Sequence, residues 1–147
     1  MSNRIAAAHA ALFTALKAAF EARGGKVFRN PEGMRHFDQG EMVLSMQDDE
    51  SAETLRVMSG PVYDLKAEPL ITLARKVAEP DRRDGVWGDV DLVRATLEAD
   101  PTLGGEVEDA RIAQGGVEPA EMDRNKWMAG GLDVTIRLLF AAPSAAG

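Results

Sequence analysis

The chain has no cysteine and only two histidines among its 147 residues. The missing cysteines exclude disulfides, thiol nucleophiles and cysteine-based zinc sites. His9 falls in a predicted helix and His36 in a predicted loop, and neither has a second histidine or a carboxylate at the spacing of metal ligands. We therefore expect no metal site.

Positive charge and long apolar runs are also scarce. Lys and Arg number 17 against 24 for Asp and Glu, a net charge of −7, which disfavours sequence-independent binding to nucleic-acid phosphates. No apolar run approaches the roughly 20 residues that span a bilayer, and Lys17 and Glu21 interrupt the N-terminal apolar pattern. We expect neither a membrane span nor an export signal.

Catalytic signatures are missing as well. "GGK" at 24–26 lacks the preceding glycine and the following hydroxyl of a phosphate-binding loop, and no Gly-x-Ser-x-Gly occurs. Asp48, Asp49 and Glu50 lack the alternating ligands and glycine of an EF-hand loop. We expect no catalytic site and no cofactor.

What remains is the composition of a folded protein. Hydrophobic residues make up 45% and charged residues 28% of the chain, and this length is enough to bury one continuous core. We expect a single domain over residues 1–147, of which 142–147 form a flexible tail.

Apolar residues at helical spacing predict two helices, over 3–22 and about 84–99. Gly24-Gly25 ends the first, and Pro101 ends the second because it removes Asp100 from helical dihedral angles. Trp87, at the start of the second helix, and Trp127, in a loop, are predicted either to pack against the core or to lie at a subunit boundary, where tryptophan is enriched.

Apolar alternation and flanking turn residues predict the strands. Short strands are expected at 26–30, 42–47 and 54–59, a longer one at 63–77, a weak one at 106–116 and a regular one at 132–140. Pro69 cannot donate to a ladder, so the long strand should lie at an edge or be bulged there. The acidic segment 48–53, "DDESAE", is predicted to be the solvated tip of a hairpin.

The order of these elements predicts an α+β fold, with an antiparallel or mixed sheet and two helices packed on one face. The other face must then be solvated or covered by a partner. One hypothesis from this pattern is a small α+β enzyme or ligand-binding protein with an acid-base pair drawn from His36, Asp38 and Glu41.

A second hypothesis comes from a resemblance. "ATLEADPTLGGEVEDARI" (95–112) and the closing strand "LDVTIRLLF" (132–140), together with the element order over residues 3–141, resemble the tail terminator proteins of long-tailed bacteriophages, the minor tail protein U-like group. Such proteins also occur in prophages and gene transfer particles. The loop at 31–41 is longer and more charged than the resemblance leads us to expect.

The resemblance implies a structural virion protein without enzymatic activity. Its subunits form a ring, typically a hexamer, that caps the head-proximal end of the tail tube, stops its polymerisation and joins the head-tail connector. The partners would be further copies of the chain, the tail tube protein and the connector, first in the host cytoplasm and then in the virion tail. Genome DNA would pass through the lumen unbound, since carboxylates repel phosphates.

Within such a ring, six residues are candidates for the lumen or the subunit interface. Desolvating an unpaired carboxylate costs several kcal/mol, so the acidic segment is predicted to face solvent or the lumen. The candidates are Asp48, Asp49, Glu50, Glu53, Trp87 and Trp127.

Overall fold

The computed structural model describes residues 4–30, 42–49, 51–58, 62–75, 81–119 and 131–143. These residues form two helices and seven strands of one mixed sheet, which confirms the predicted α+β fold. In chain order the elements are α1 (Arg4–Glu21), β1 (Lys26–Arg29), β2 (Met42–Gln47), β3 (Glu53–Met58), β4 (Val62–Ala67), β5 (Leu70–Arg75), α2 (Asp81–Ala99), β6 (Asp109–Pro119) and β7 (Leu132–Ala142).

β7 is the central strand of the sheet. On one side it pairs antiparallel with β6, and on the other with β4 and β5, which lie end to end in one register. β3 pairs antiparallel with β4, and β2 pairs antiparallel with β5. β1 pairs parallel with β2. The sheet is therefore long along its strands, with β1, β3 and β6 as edges in the described part of the chain.

The long strand predicted at 63–77 is β4 followed by β5, interrupted at Glu68 and Pro69. It lies inside the sheet and not at an edge. Pro69 has no N–H, but its carbonyl accepts a hydrogen bond of 3.1 Å from the Ile136 N–H. This bond keeps both halves in register along β7.

Both helices cover the same face of the sheet. Along β7 every second side chain, from Leu132 to Ala142, is buried on that face. α1 contributes Leu12, Leu16 and Phe20 to the same core, and α2 contributes Val86, Val90, Val93 and Leu97. Burial of each larger side chain contributes about 1.5–3 kcal/mol. Neither helix of the described residues is long and apolar enough to cross a membrane.

The turn after α2 has three successive residues with positive φ: Leu103 at 48°, Gly104 at 71° and Gly105 at 90°. A carboxylate oxygen of Asp100 accepts the Gly104 N–H at 2.9 Å, which holds the turn. Leu103 folds back into the core and is 5% exposed. The weak strand predicted at 106–116 is β6 and runs from 109 to 119 instead, since the turn extends further than the two glycines indicate.

Candidate functional site

The prediction that the acidic segment 48–53 is a hairpin tip is wrong. β2 pairs with β5 and β3 with β4, so the two strands flanking the segment do not pair with each other. Gln47 pairs with Leu70 and Glu53 with Lys66, so the chain from Gln47 to Glu53 has two more residues than the stretch from Lys66 to Leu70 that it faces. This extra length is a bulge between β2 and β3. β3 instead forms an antiparallel pair with β4, the strand that follows it, with Met58 opposite Val62.

Asp48 and Asp49 form hydrogen bonds and ion pairs with other side chains and are not solvated charges. The Asp48 carboxylate accepts hydrogen bonds from Arg29, the shortest 2.7 Å long, and Nε2 of His9 lies 3.2 Å from Oδ1 of Asp49. The Asp48 and Asp49 side chains are only 20% and 18% exposed. His9, on the buried side of α1, therefore ties the helix to the bulge.

The pKa of the Asp48 carboxyl reflects these neighbours. Burial raises it, but the Arg29 hydrogen bond and the attraction of His9 and Arg29 outweigh burial, so the pKa is lower than usual. Asp48 is therefore ionised at neutral pH. Arg29 also lies over the Phe13 ring, 5.8 Å from its centroid, which orients the guanidinium toward the bulge.

Asp49 acts on the neighbouring strand. Its Oδ2 accepts the Glu68 N–H at 2.6 Å, beside the residue at which the β4–β5 strand is interrupted. The bulge thus supplies the acceptor that an unbroken ladder would have provided. Of the other two carboxylates, Glu53 is 62% exposed and pairs with Lys66 at 2.9 Å, and Glu50 lies outside the described residues. Assignment of these carboxylates to a lumen remains a prediction.

Trp87 lies in the first half of α2 and is 48% exposed. It is not part of the core cluster, so the expectation of core packing is wrong for this residue. Trp127 lies outside the described residues, as do His36, Asp38 and Glu41 of the enzyme hypothesis. In the described part of the chain, no three His, Asp or Glu side chains are placed to hold a metal ion.

A buried ion pair that the sequence analysis missed joins β5 to α2. Arg75 donates to the two carboxylate oxygens of Asp89 at 2.9 and 2.6 Å. Burial raises the pKa of Asp89 more than Arg75 lowers it, and the bond to Asp89 raises the pKa of Arg75. The position of Asp89 in the sequence could have indicated its burial, because it lies three residues after Val86, in the apolar stripe of α2.

This pair lies beside a polar cavity of about 290 Å³, lined by Arg23, Gly24, Met42, Arg75, Gly85, Gly88 and Asp89. A buried carboxyl with a raised pKa in a cavity is a candidate acid or base. Here both of its oxygens bind one guanidinium, and none of the described residues that line the cavity is a histidine or carries a hydroxyl. The arrangement is that of a structural ion pair.

The large apolar side chains exposed in the described residues form two patches. The hairpin patch is Leu55 and Val57 on β3 and Val62 at the start of β4, which are 49%, 63% and 37% exposed. Val57 pairs with Tyr63 and Met58 with Val62, so Val57 and Val62 lie on opposite faces of this end of the sheet. The helix patch is Trp87. Val62 is the first residue of β4, and Arg75 is the last residue of β5. Arg75 binds Asp89 of α2, two residues after Trp87. The two patches therefore lie at opposite ends of the sheet, about 40 Å apart.

Comparison with protein-family models and with curated proteins found no match for this chain. The functional assignment therefore depends on the surfaces that the fold exposes and on the resemblance described above.

Proposed function

We propose that this chain is a structural subunit that associates head to tail into a ring, and that the ring is a tail terminator of a long-tailed phage, prophage or gene transfer particle. The observation that carries the proposal is the position of the hairpin patch and the helix patch at opposite ends of one sheet. Two different patches that bind each other make a heterologous contact, which closes into a ring or grows into a filament.

The hairpin patch suits a subunit contact for two reasons. Val57 is the most exposed of the large apolar side chains in the described residues, and Leu55 on the same strand is also exposed, so this end of the hairpin offers apolar side chains to another copy. β3 also pairs with β4 alone among the described strands, and an edge strand of this kind can pair with another chain.

The helix patch suits the other half of the contact. Tryptophan is enriched among the residues that dominate binding energy, and Trp87 lies on a helix that the Arg75–Asp89 pair fixes to the sheet. A rigid support lowers the entropy lost on binding.

The resemblance supplies the position of the ring in a particle. A terminator ring caps the tail tube, stops its polymerisation and joins the connector, and DNA passes through its lumen. The net charge of −7 favours such passage, because a negative lumen does not hold phosphates.

Tail length tests this proposal. Removing the chain from the genetic element that encodes it should give tail tubes of variable length without heads, seen by electron microscopy. Val57→Asp should reproduce that defect, because a buried unpaired carboxylate opposes the contact.

Gln114→Asp is the matched control, since it adds the same charge at an exposed position of β6, away from both patches. It should leave tail length unchanged. Tails of normal length after removal of the chain would contradict the assignment.

A further inference from the structure

The outer face of the sheet, opposite the helices, bears charged rows that run across β6 and β7. In one row Arg111 lies directly opposite Arg137. In a second row Glu118 lies directly opposite Asp133. Like charges directly opposite each other on neighbouring strands are destabilising. Asp109 compensates Arg111, and the Thr72 hydroxyl donates to Asp133 at 2.7 Å, but neither contact compensates Arg137.

Arg137 is the central group of the first row. It is partly buried, and its Nε is buried with no hydrogen-bond partner. Arg111 already has a carboxylate, since its Nε lies 2.6 Å from Oδ2 of Asp109, whereas no described carboxylate forms an ion pair with Arg137. A partly buried guanidinium in this state gains from a carboxylate supplied from outside.

The acidic row is placed to supply one. Residues 133 and 137 are four apart on β7, so the rows lie about 13 Å apart on the same face. A two-fold axis that lies in the plane of the contact, parallel to the rows and above Thr135, places the face of a second copy against this one and exchanges the rows. Each arginine row of one copy would then lie against the acidic row of the other, which is the self-complementarity of an isologous contact.

We propose that two copies of this chain bind each other through this outer face, with the Arg111–Arg137 row of each against the Glu118–Asp133 row of its partner. This contact is separate from the head-to-tail contact and does not depend on it. Duplex DNA is a poorer occupant of the face, because Asp109, Glu118 and Asp133 flank the arginines and repel phosphates.

Charge exchange tests the contact in a Val57→Asp background, which removes the head-to-tail contact. Arg111→Glu with Arg137→Glu makes both rows acidic, and Glu118→Lys with Asp133→Lys makes both rows basic. Sedimentation velocity should find a dimer for the Val57→Asp parent, monomers for each double-row variant alone, and a 1:1 dimer when the two are mixed, since acidic rows then meet basic rows.

Arg137→Gln keeps the inference testable if a double-row variant does not fold. It should weaken the dimer at least tenfold while leaving the melting temperature of the monomer unchanged or higher, because Arg137 has no ion pair to lose. Arg94→Gln, an exposed arginine paired with Asp91 on α2, should leave the dimer intact.

A monomeric Val57→Asp parent, or an unchanged dimer in Arg137→Gln, would overturn the inference. So would a parent that binds duplex DNA through Arg137 and does not dimerise. A different result would contradict the proposed function: oligomers of the same mass for the wild type and for Val57→Asp.

Discussion

A carboxylate oxygen of Asp49 accepts the backbone N–H of Glu68 at 2.6 Å, across the point where Pro69 interrupts the β4–β5 strand. The residue next to Glu68 cannot donate to the sheet, and Asp49 lies in the bulge of the adjacent strand. The bulge in one strand and the interruption in its neighbour therefore lie side by side and are joined by this hydrogen bond.

Removing this acceptor should destabilise the fold. Asp49→Ala leaves the Glu68 N–H without its acceptor and removes the contact to His9, so we expect a loss of about 1–3 kcal/mol in the free energy of unfolding. Urea denaturation measures it. Glu53→Ala is the matched control, because that exposed carboxylate should change stability by less than about 1 kcal/mol. Equal effects would show that the Asp49 contact is not structural.

Acid should weaken the contact between α1 and the bulge. The pKa of Asp48 is lower in the folded state than its usual value, so its stabilisation is present above about pH 4 and is lost as pH falls through the folded pKa. Asp48→Asn should therefore lower stability at neutral pH and reduce its dependence on pH below about 4. Denaturation midpoints measured from pH 7 to pH 3 test this, and parallel curves for both proteins would contradict it.

The Arg75–Asp89 pair should be costly to break from one side. Asp89→Ala leaves a partly buried guanidinium without its counterion, and we expect a loss of about 3–5 kcal/mol. Replacing both partners, with Arg75→Met and Asp89→Leu, should recover most of that loss, because no unpaired charge remains. A double variant as unstable as Asp89→Ala would show that the ion pair stabilises the fold by more than the mutual neutralisation of its two charges.

Two glycines of α2 provide a matched comparison. A Cβ at Gly85 would lie 2.6 Å from Cδ of Arg75, whereas a Cβ at Gly88 would meet nothing within 4 Å. Gly88→Ala should stabilise the protein by about 0.5–1 kcal/mol through helix propensity. Gly85→Ala should lose that gain and more, since it displaces Arg75 from Asp89. Thermal denaturation of both variants decides this, and equal stabilisation would contradict the tight approach.

Regular periodicity made much of the fold predictable. The helices, the alternation of β7 and the long strand around Pro69 all follow from residues whose spacing matches one face of an element. The acidic segment was misassigned because its composition suits a solvated turn as well as a bulge. Only pairing with β4 and β5, which is a tertiary property, distinguishes the two.

The exposed apolar and charged side chains were less predictable. The sequence predicts for Trp87 either core packing or a subunit boundary, and it places Leu55 and Val57 only as strand residues. Their exposure depends on β3 being an edge that neither helix covers, which no local pattern indicates. The Arg137 row was likewise hidden, because the residue opposite Arg137 is set by the register of β6 and by its bulge between Ile112 and Val117.

The most direct test of head-to-tail association is to mix two variants, each of which has lost one patch. The account predicts that the wild type forms a closed oligomer of fixed copy number, a multiple of the 15.8 kDa subunit. Val57→Asp alone and Trp87→Asp alone should form no ring. Their mixture should give a complex heavier than either variant by sedimentation velocity, since one intact hairpin patch meets one intact helix patch. A monomeric wild type, or a mixture no heavier than its components, would contradict the account.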